Sequence, residues 1–194
     1  RDHYLPISAG DQVAKEPLSI VVSLGDKFDT IAGIFKAGLI PSGSQDPYGL
    51  RRMALGILRT IIENKLPLSF SGMMGEAQRN IDALPDLELS VFEEFFKGRF
   101  KSLLEKEGLG FDLIESIMAL EFEDIYPLYL KGIALKQVSE KASFEKIVSL
   151  LVRTKNILKK NGLQTEGYKD TFLVDEHEIR LASVYKGIAA RQQE

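Results

Sequence analysis

Apolar residues recur three and four positions apart through most of this chain, and no stretch alternates apolar with polar for long enough to make a half-buried strand. That period commits the chain to helices, each with one face to bury. Glu16-Pro17 reads as a helix start, because proline in the first turn has no N–H to leave unpaired. Ile20, Leu24, Phe28, Ile31 and Phe35 follow on one face, and Gly38 lies just past the run, where a helix end is expected. Pro41-Ser42-Gly43-Ser44 reads as a loop, and Asp46-Pro47 as the cap and first turn of the next helix. The inner face of that helix is expected at Leu50, Met53, Ile57, Thr60 and Ile61.

A less regular helical segment lies between Pro67 and Pro85. Beyond it, Ser90-Val91-Phe92-Glu93 has the form of a capping box at the head of an amphipathic run of Phe92, Phe95, Phe96, Arg99, Phe100, Leu103 and Leu104. Shorter helices are expected over 111–120 and 124–141, then 144–160 capped by Ser143, and a last one over 170–191. The fold class is all-α, a helical bundle. Pro85-Asp86 is the expected division into residues 1–85 and 86–194. Nine basic and nine acidic residues precede it, sixteen and nineteen follow.

Composition narrows the function. Hydrophobic residues make up 44% of the chain, enough for a sizeable core, and no run of eighteen apolar residues could cross a membrane. The absence of cysteine removes disulfides and thiolate chemistry and fits a reducing cytosol. The first fifteen residues lack the apolar core of a signal peptide. The chain begins at Arg1 and ends on a helix-like run from Ala189 to Glu194, so a segment cut from a longer protein is expected at both ends. With a net charge of −3, any nucleic-acid contact must be local rather than a matter of bulk charge.

Catalytic constellations are scarce. His3 and His177 have no partner pattern and read as surface or capping residues, so no metal site is expected. Asp26 and Asp29, three apart, share a helix face and could serve a metal; solvated charges explain them better, and Lys27 points elsewhere. The segment from Phe144 to Lys160 has the clearest electrostatics. Phe144, Ile147, Val148, Leu151 and Leu158 make an apolar face, while Lys146, Arg153, Asn156 and Lys160 line up on another, with Lys155 and Lys159 nearby. Such a stripe can hold phosphates or read exposed RNA bases. Cations offsetting a helix dipole would explain its last two lysines equally well.

Longer motifs are more specific. Leu24-Gly25-Asp26-Lys27-Phe28-Asp29-Thr30-Ile31-Ala32-Gly33-Ile34-Phe35, then Pro41-Ser42-Gly43-Ser44-Gln45-Asp46-Pro47-Tyr48-Gly49-Leu50-Arg51-Arg52 and Ala54-Leu55-Gly56, resemble the β subunit of bacterial heterotetrameric glycyl-tRNA synthetase. That family's pattern is approximately L-A-D-K-L-D-T-L-x-G-x-F followed by P-T-G-S-x-D-P-[FY]-x-L-R-R-x-A-L-G. His3-Tyr4-Leu5-Pro6 resembles its H-Y-x-P element. Phe95, Phe96, Arg99, Asp112 and Ile114 resemble helical pairs of its anticodon-binding portion, and Arg153-Thr154-Lys155-Asn156-Ile157-Leu158 its K-R-x-x-N-I-L element. Val152, Gly25 and Gly49 depart from the pattern, which prefers Lys, Ala and Ala there.

The resemblance implies the end of an HD-like helical domain followed by a truncated helical anticodon-binding domain similar to that of arginyl-tRNA synthetase. Asp26, Lys27 and Asp29 would be the HD-like remnant, without the ligands a catalytic metal needs. It further implies a cytoplasmic, non-catalytic part of a ligase that binds tRNA-Gly. Adenylate chemistry, with its ATP and magnesium, would belong to an α subunit in a tetramer of two α and two β chains; no cofactor is expected in this chain. The expected tRNA contacts are Arg153, Asn156, Lys146, Lys155 and Lys160, together with Arg99, Arg51 and Arg52. Two alternatives are a degenerate HD phosphohydrolase domain and a structural module joining subunits.

Overall fold

The computed structural model describes residues 4–6, 10–41, 45–81, 84–161 and 173–191, with side chains omitted at 160–161 and 188–191. Eight helices are described: α1 (Pro17–Lys36), α2 (Leu50–Glu63), α3 (Phe70–Arg79), α4 (Leu89–Lys106), α5 (Phe111–Met118), α6 (Ile125–Ser139), α7 (Phe144–Asn161) and α8 (Glu176–Arg191). There is no strand among the described residues, so the all-α reading holds. His3, Ser42, Gly43 and Ser44 lie outside the described residues, as does the expected start of the last helix at Asp170.

The chain forms two compact units, residues 1–142 and 143–194. In the first, α1 packs on α2 and α3, α4 on α2, α3 and α5, and α6 on α5 and α2. The division expected at Pro85 falls inside this unit, because α4 carries an aromatic spine into the core that α1 to α3 begin. Phe92, Phe96 and Phe100, one helical turn apart, are all fully buried. Phe92 stacks on Phe35 of α1 at 5.1 Å between ring centroids, and Phe96 meets Phe70 of α3 edge-on at 5.0 Å. Phe100 meets Phe122, between α5 and α6, at 5.7 Å. One aromatic ladder thus ties both sides of Pro85 together.

The helix ends follow from local chemistry, with two corrections. Gly38, at φ 77°, lets Leu39 N–H donate back to the Ile34 carbonyl at 3.1 Å and close α1. At the head of α2, Pro47 does not start the helix. Gly49 adopts a left-handed conformation, and the helix begins at Leu50. Asp46 still satisfies the first turn, because its carboxylate accepts from Leu50 N–H at 2.8 Å and Arg51 N–H at 3.0 Å. Asp46→Ala is therefore expected to lower stability by about 1 kcal/mol in chemical denaturation. Before α4, the capping box at Ser90 does not form. The helix starts two residues earlier with Glu88 at the cap, and Ser90 donates to the Glu88 carboxylate at 3.3 Å.

A polar lock joins α3 to the α5–α6 link. Ser69 caps α3 by accepting from Gly72 N–H at 2.9 Å. Glu123 accepts from Ser69 Oγ, from Ser71 Oγ at 2.8 Å and from Ser71 N–H at 3.1 Å. Partial burial pushes the Glu123 carboxyl up, but these hydrogen bonds outweigh it and hold the group below its ordinary 4.5. A carboxylate depressed in the folded state stabilises above its unfolded pKa, and that stabilisation is lost as pH falls through the folded value. Glu123→Gln should accordingly be less stable than the parent at pH 7. The gap should close as denaturation is repeated from about pH 5 downward.

Candidate nucleic-acid interface on helix α7

Helix α7 forms because eighteen residues pass without glycine or proline, with Glu145 in the first turn to favour the N-terminal dipole. Positions 146, 149, 153 and 156 fall within roughly a quarter of the helix circumference. Ser149, Val152, Arg153, Asn156 and Ile157 line one shallow surface, and Glu145, Lys146, Ser149, Leu150 and Arg153 line the adjoining one. The expected set of Lys146, Arg153 and Asn156 is thus brought onto one exposed face, with Ser149 added between them. Sequence reasoning missed Ser149, although its three-residue offset from Lys146 is the signal that places it there. The structure gives none of these four side chains a hydrogen bond or ion pair among the described residues, so their donors face solvent. Lys155, two residues from Arg153, projects from the far side of the helix. The side chain of Lys160 lies outside the described residues.

The other face of α7 is apolar. Ile147, Val148, Leu151 and Leu158 are between 39% and 63% exposed, so the apolar face expected to be buried has no cover among the described residues.

The remaining expected contacts lie in the first unit. Arg51 and Arg52 are neighbours on the first turn of α2. Arg51 donates through Nη1 to the Gln45 carbonyl at 2.8 Å, bracing the segment that carries Asp46. Arg52 is exposed and lies over Gly49, where a Cβ would come within 2.7 Å of its Nη2. Arg99 sits half-buried on α4, and its Nε is buried with no hydrogen-bond partner among the described residues.

The motif around Asp26 resolves differently on each side. Asp26 and Asp29 are exposed, and Asp29 accepts weakly from Asn80 at 3.4 Å. Lys27 departs from the expectation of solvated charges, because it is buried. Its ammonium donates to Ser23 Oγ at 2.6 Å and to the carbonyls of Leu5 at 3.3 Å and Tyr4 at 3.5 Å. Burial pushes the Lys27 pKa down while the neighbouring Asp26 pulls it back up. The contact works as a clamp: it fastens residues 4–6 against α1, while Pro6 fills the space beside Gly56 of α2. Among the described residues, no three His, Cys, Asp or Glu side chains gather as a metal site requires. No described helix is long and apolar enough to cross a membrane.

Residues 1–119, spanning α1 to α5, match the model of the glycyl-tRNA synthetase β subunit family. The chain belongs to that family. The match also reaches past α5 in individual relatives. The glycine–tRNA ligase β subunit of Magnetococcus marinus is 34% identical over 197 residues, covering 98% of this chain and 28% of the relative. The Desulforamulus reducens subunit of the same name is 36% identical over 164 residues, covering 81% and 24%. That of Clostridioides difficile is 29% identical over 196 residues, covering 100% and 28%. The chain therefore spans about a quarter of the length of the curated relatives it matches, and the alignments of nearly full coverage take in α7.

Proposed function

We propose that this chain is a tRNA-binding part of glycine–tRNA ligase, and that the exposed face of α7 contacts tRNA-Gly. The name shared by its relatives supports the enzyme. The observation that carries the contact is the set of donors on Lys146, Ser149, Arg153 and Asn156 that have no partner among the described residues. A guanidinium and an ammonium on one face can neutralise successive phosphates, releasing counterions as they do so. Asn156 offers both a donor and an acceptor to the edge of an unstacked base, which suits a single-stranded loop better than a duplex. With a net charge of −3 the rest of the chain adds no general attraction, so this face must act locally. Arg51, Arg52 and Arg99 are further candidate backbone contacts, all within the first unit. Adenylate formation, with ATP and magnesium, then falls to the α subunit of a tetramer with two α and two β chains.

Binding of tRNA-Gly and of a non-cognate tRNA, measured across salt concentrations, tests this reading. Arg153→Ala is expected to weaken cognate binding by about 1–3 kcal/mol and to reduce the salt slope by roughly one if Arg153 meets a phosphate. The uncovered apolar face of α7 favours a second reading, a module that joins parts of the enzyme. Folded chain that binds no tRNA at low salt would select that reading.

A further inference from the structure

Helix α1 carries two apolar rows. Ile20, Leu24, Phe28, Ile31 and Phe35 are buried in the first unit. Around the helix from them, Leu18, Val21 and Val22 are 75%, 68% and 44% exposed. Gly25, where a Cβ would meet nothing within 4 Å, extends this second row. Spacing of i, i+3, i+4 and i+7 makes one continuous stripe, the pattern a helix uses to seat another helix. Single exposed apolar residues are ordinary on a protein surface, whereas a row of them marks an interaction face.

We propose that this stripe seats an amphipathic helix from the part of the β subunit outside these 194 residues. The matched relatives supply the room: nearly the whole chain accounts for only 28% of the Magnetococcus marinus subunit. Size decides between occupants. Three side chains on one helix fall well short of the roughly 1,200 Å² that a stable association of separate molecules buries. A helix tethered in the same chain needs far less area, because its effective concentration is already high. Asp26 and Asp29 are exposed at the C-terminal end of the stripe. The incoming helix therefore carries apolar residues three and four apart and a Lys or Arg at the end that meets these carboxylates. A second copy of this chain would have to pack Leu18 over Gly25 and Val21 against Val22 in antiparallel fashion, on the same small area.

The chain has no cysteine, so Val21→Cys places a single thiol on the stripe at an exposed position. Its maleimide labelling rate would be measured in the 194-residue chain and in the full-length β subunit, with the modified peptide identified after digestion. Circular dichroism would confirm that both are folded. The thiol is expected to react freely in the chain and at least about tenfold more slowly in the subunit, where it must wait for local opening. Equal rates in the two would overturn the proposal. Slow labelling already in the chain, together with concentration-dependent sedimentation, would overturn it in favour of a second copy. The readout involves no RNA, so it stands or falls separately from the tRNA contact.

Discussion

Phe96→Ala is expected to destabilise the first unit by about 3–5 kcal/mol, a large share of the 5–15 kcal/mol that holds a typical domain folded. Phe96 is fully buried and touches three other rings. Phe28 stacks against it at 6.1 Å, Phe70 meets it edge-on at 5.0 Å, and Phe95 lies 6.0 Å away. These partners stand on α1, α3 and α4, so truncation opens a hole at a junction of three helices. Collapse around it is resisted because two of the neighbouring rings are already held by others: Phe70 by Phe122 at 5.3 Å, and Phe95 by Phe35 at 5.0 Å. Urea denaturation followed by circular dichroism measures the loss. Phe96→Leu should retain most of the stability, since it keeps more of the volume. A loss below about 1 kcal/mol for the alanine variant would mean that α4 is not the spine described above.

Most helices were legible because their buried faces repeat with the helical period. Ile20, Leu24, Phe28, Ile31 and Phe35 are buried as their spacing predicts, and so are Leu50, Ile57, Thr60 and Ile61. What sequence could not show was pairing across long separations. The charge difference and proline at position 85 suggested a boundary, yet Phe35–Phe92 and Phe70–Phe96 contacts cross it. Glu123 is 52 and 54 residues from the serines it holds, beyond the reach of any local pattern. Lys27 misled for a similar reason: its sequence neighbours Asp26 and Asp29 face solvent, while Ser23 and the carbonyls of residues 4 and 5 enclose its ammonium. The α7 stripe was legible from spacing alone, because a single exposed helix needs no tertiary contact to fix which residues share a face. The same reasoning fails for its apolar side, which has no cover among the described residues.

Removing the α7 stripe as a unit should have the largest effect on function. In Lys146→Ala/Arg153→Ala/Asn156→Ala, three exposed contacts worth roughly 1 kcal/mol each are deleted together, so affinity for tRNA-Gly is expected to fall about a hundredfold. The fold should be untouched, because the structure gives none of the three side chains a partner among the described residues. An effect on binding alone must also spare the chemical step that precedes tRNA. The most direct measurement therefore places the triple variant in the full-length β subunit, assembled with the α subunit. Glycine-dependent ATP–pyrophosphate exchange and tRNA-Gly charging are then compared in the same preparation. The account predicts unchanged exchange and a KM for tRNA-Gly raised about a hundredfold. An unchanged KM for tRNA-Gly, or a loss of exchange as deep as the loss of charging, would contradict it.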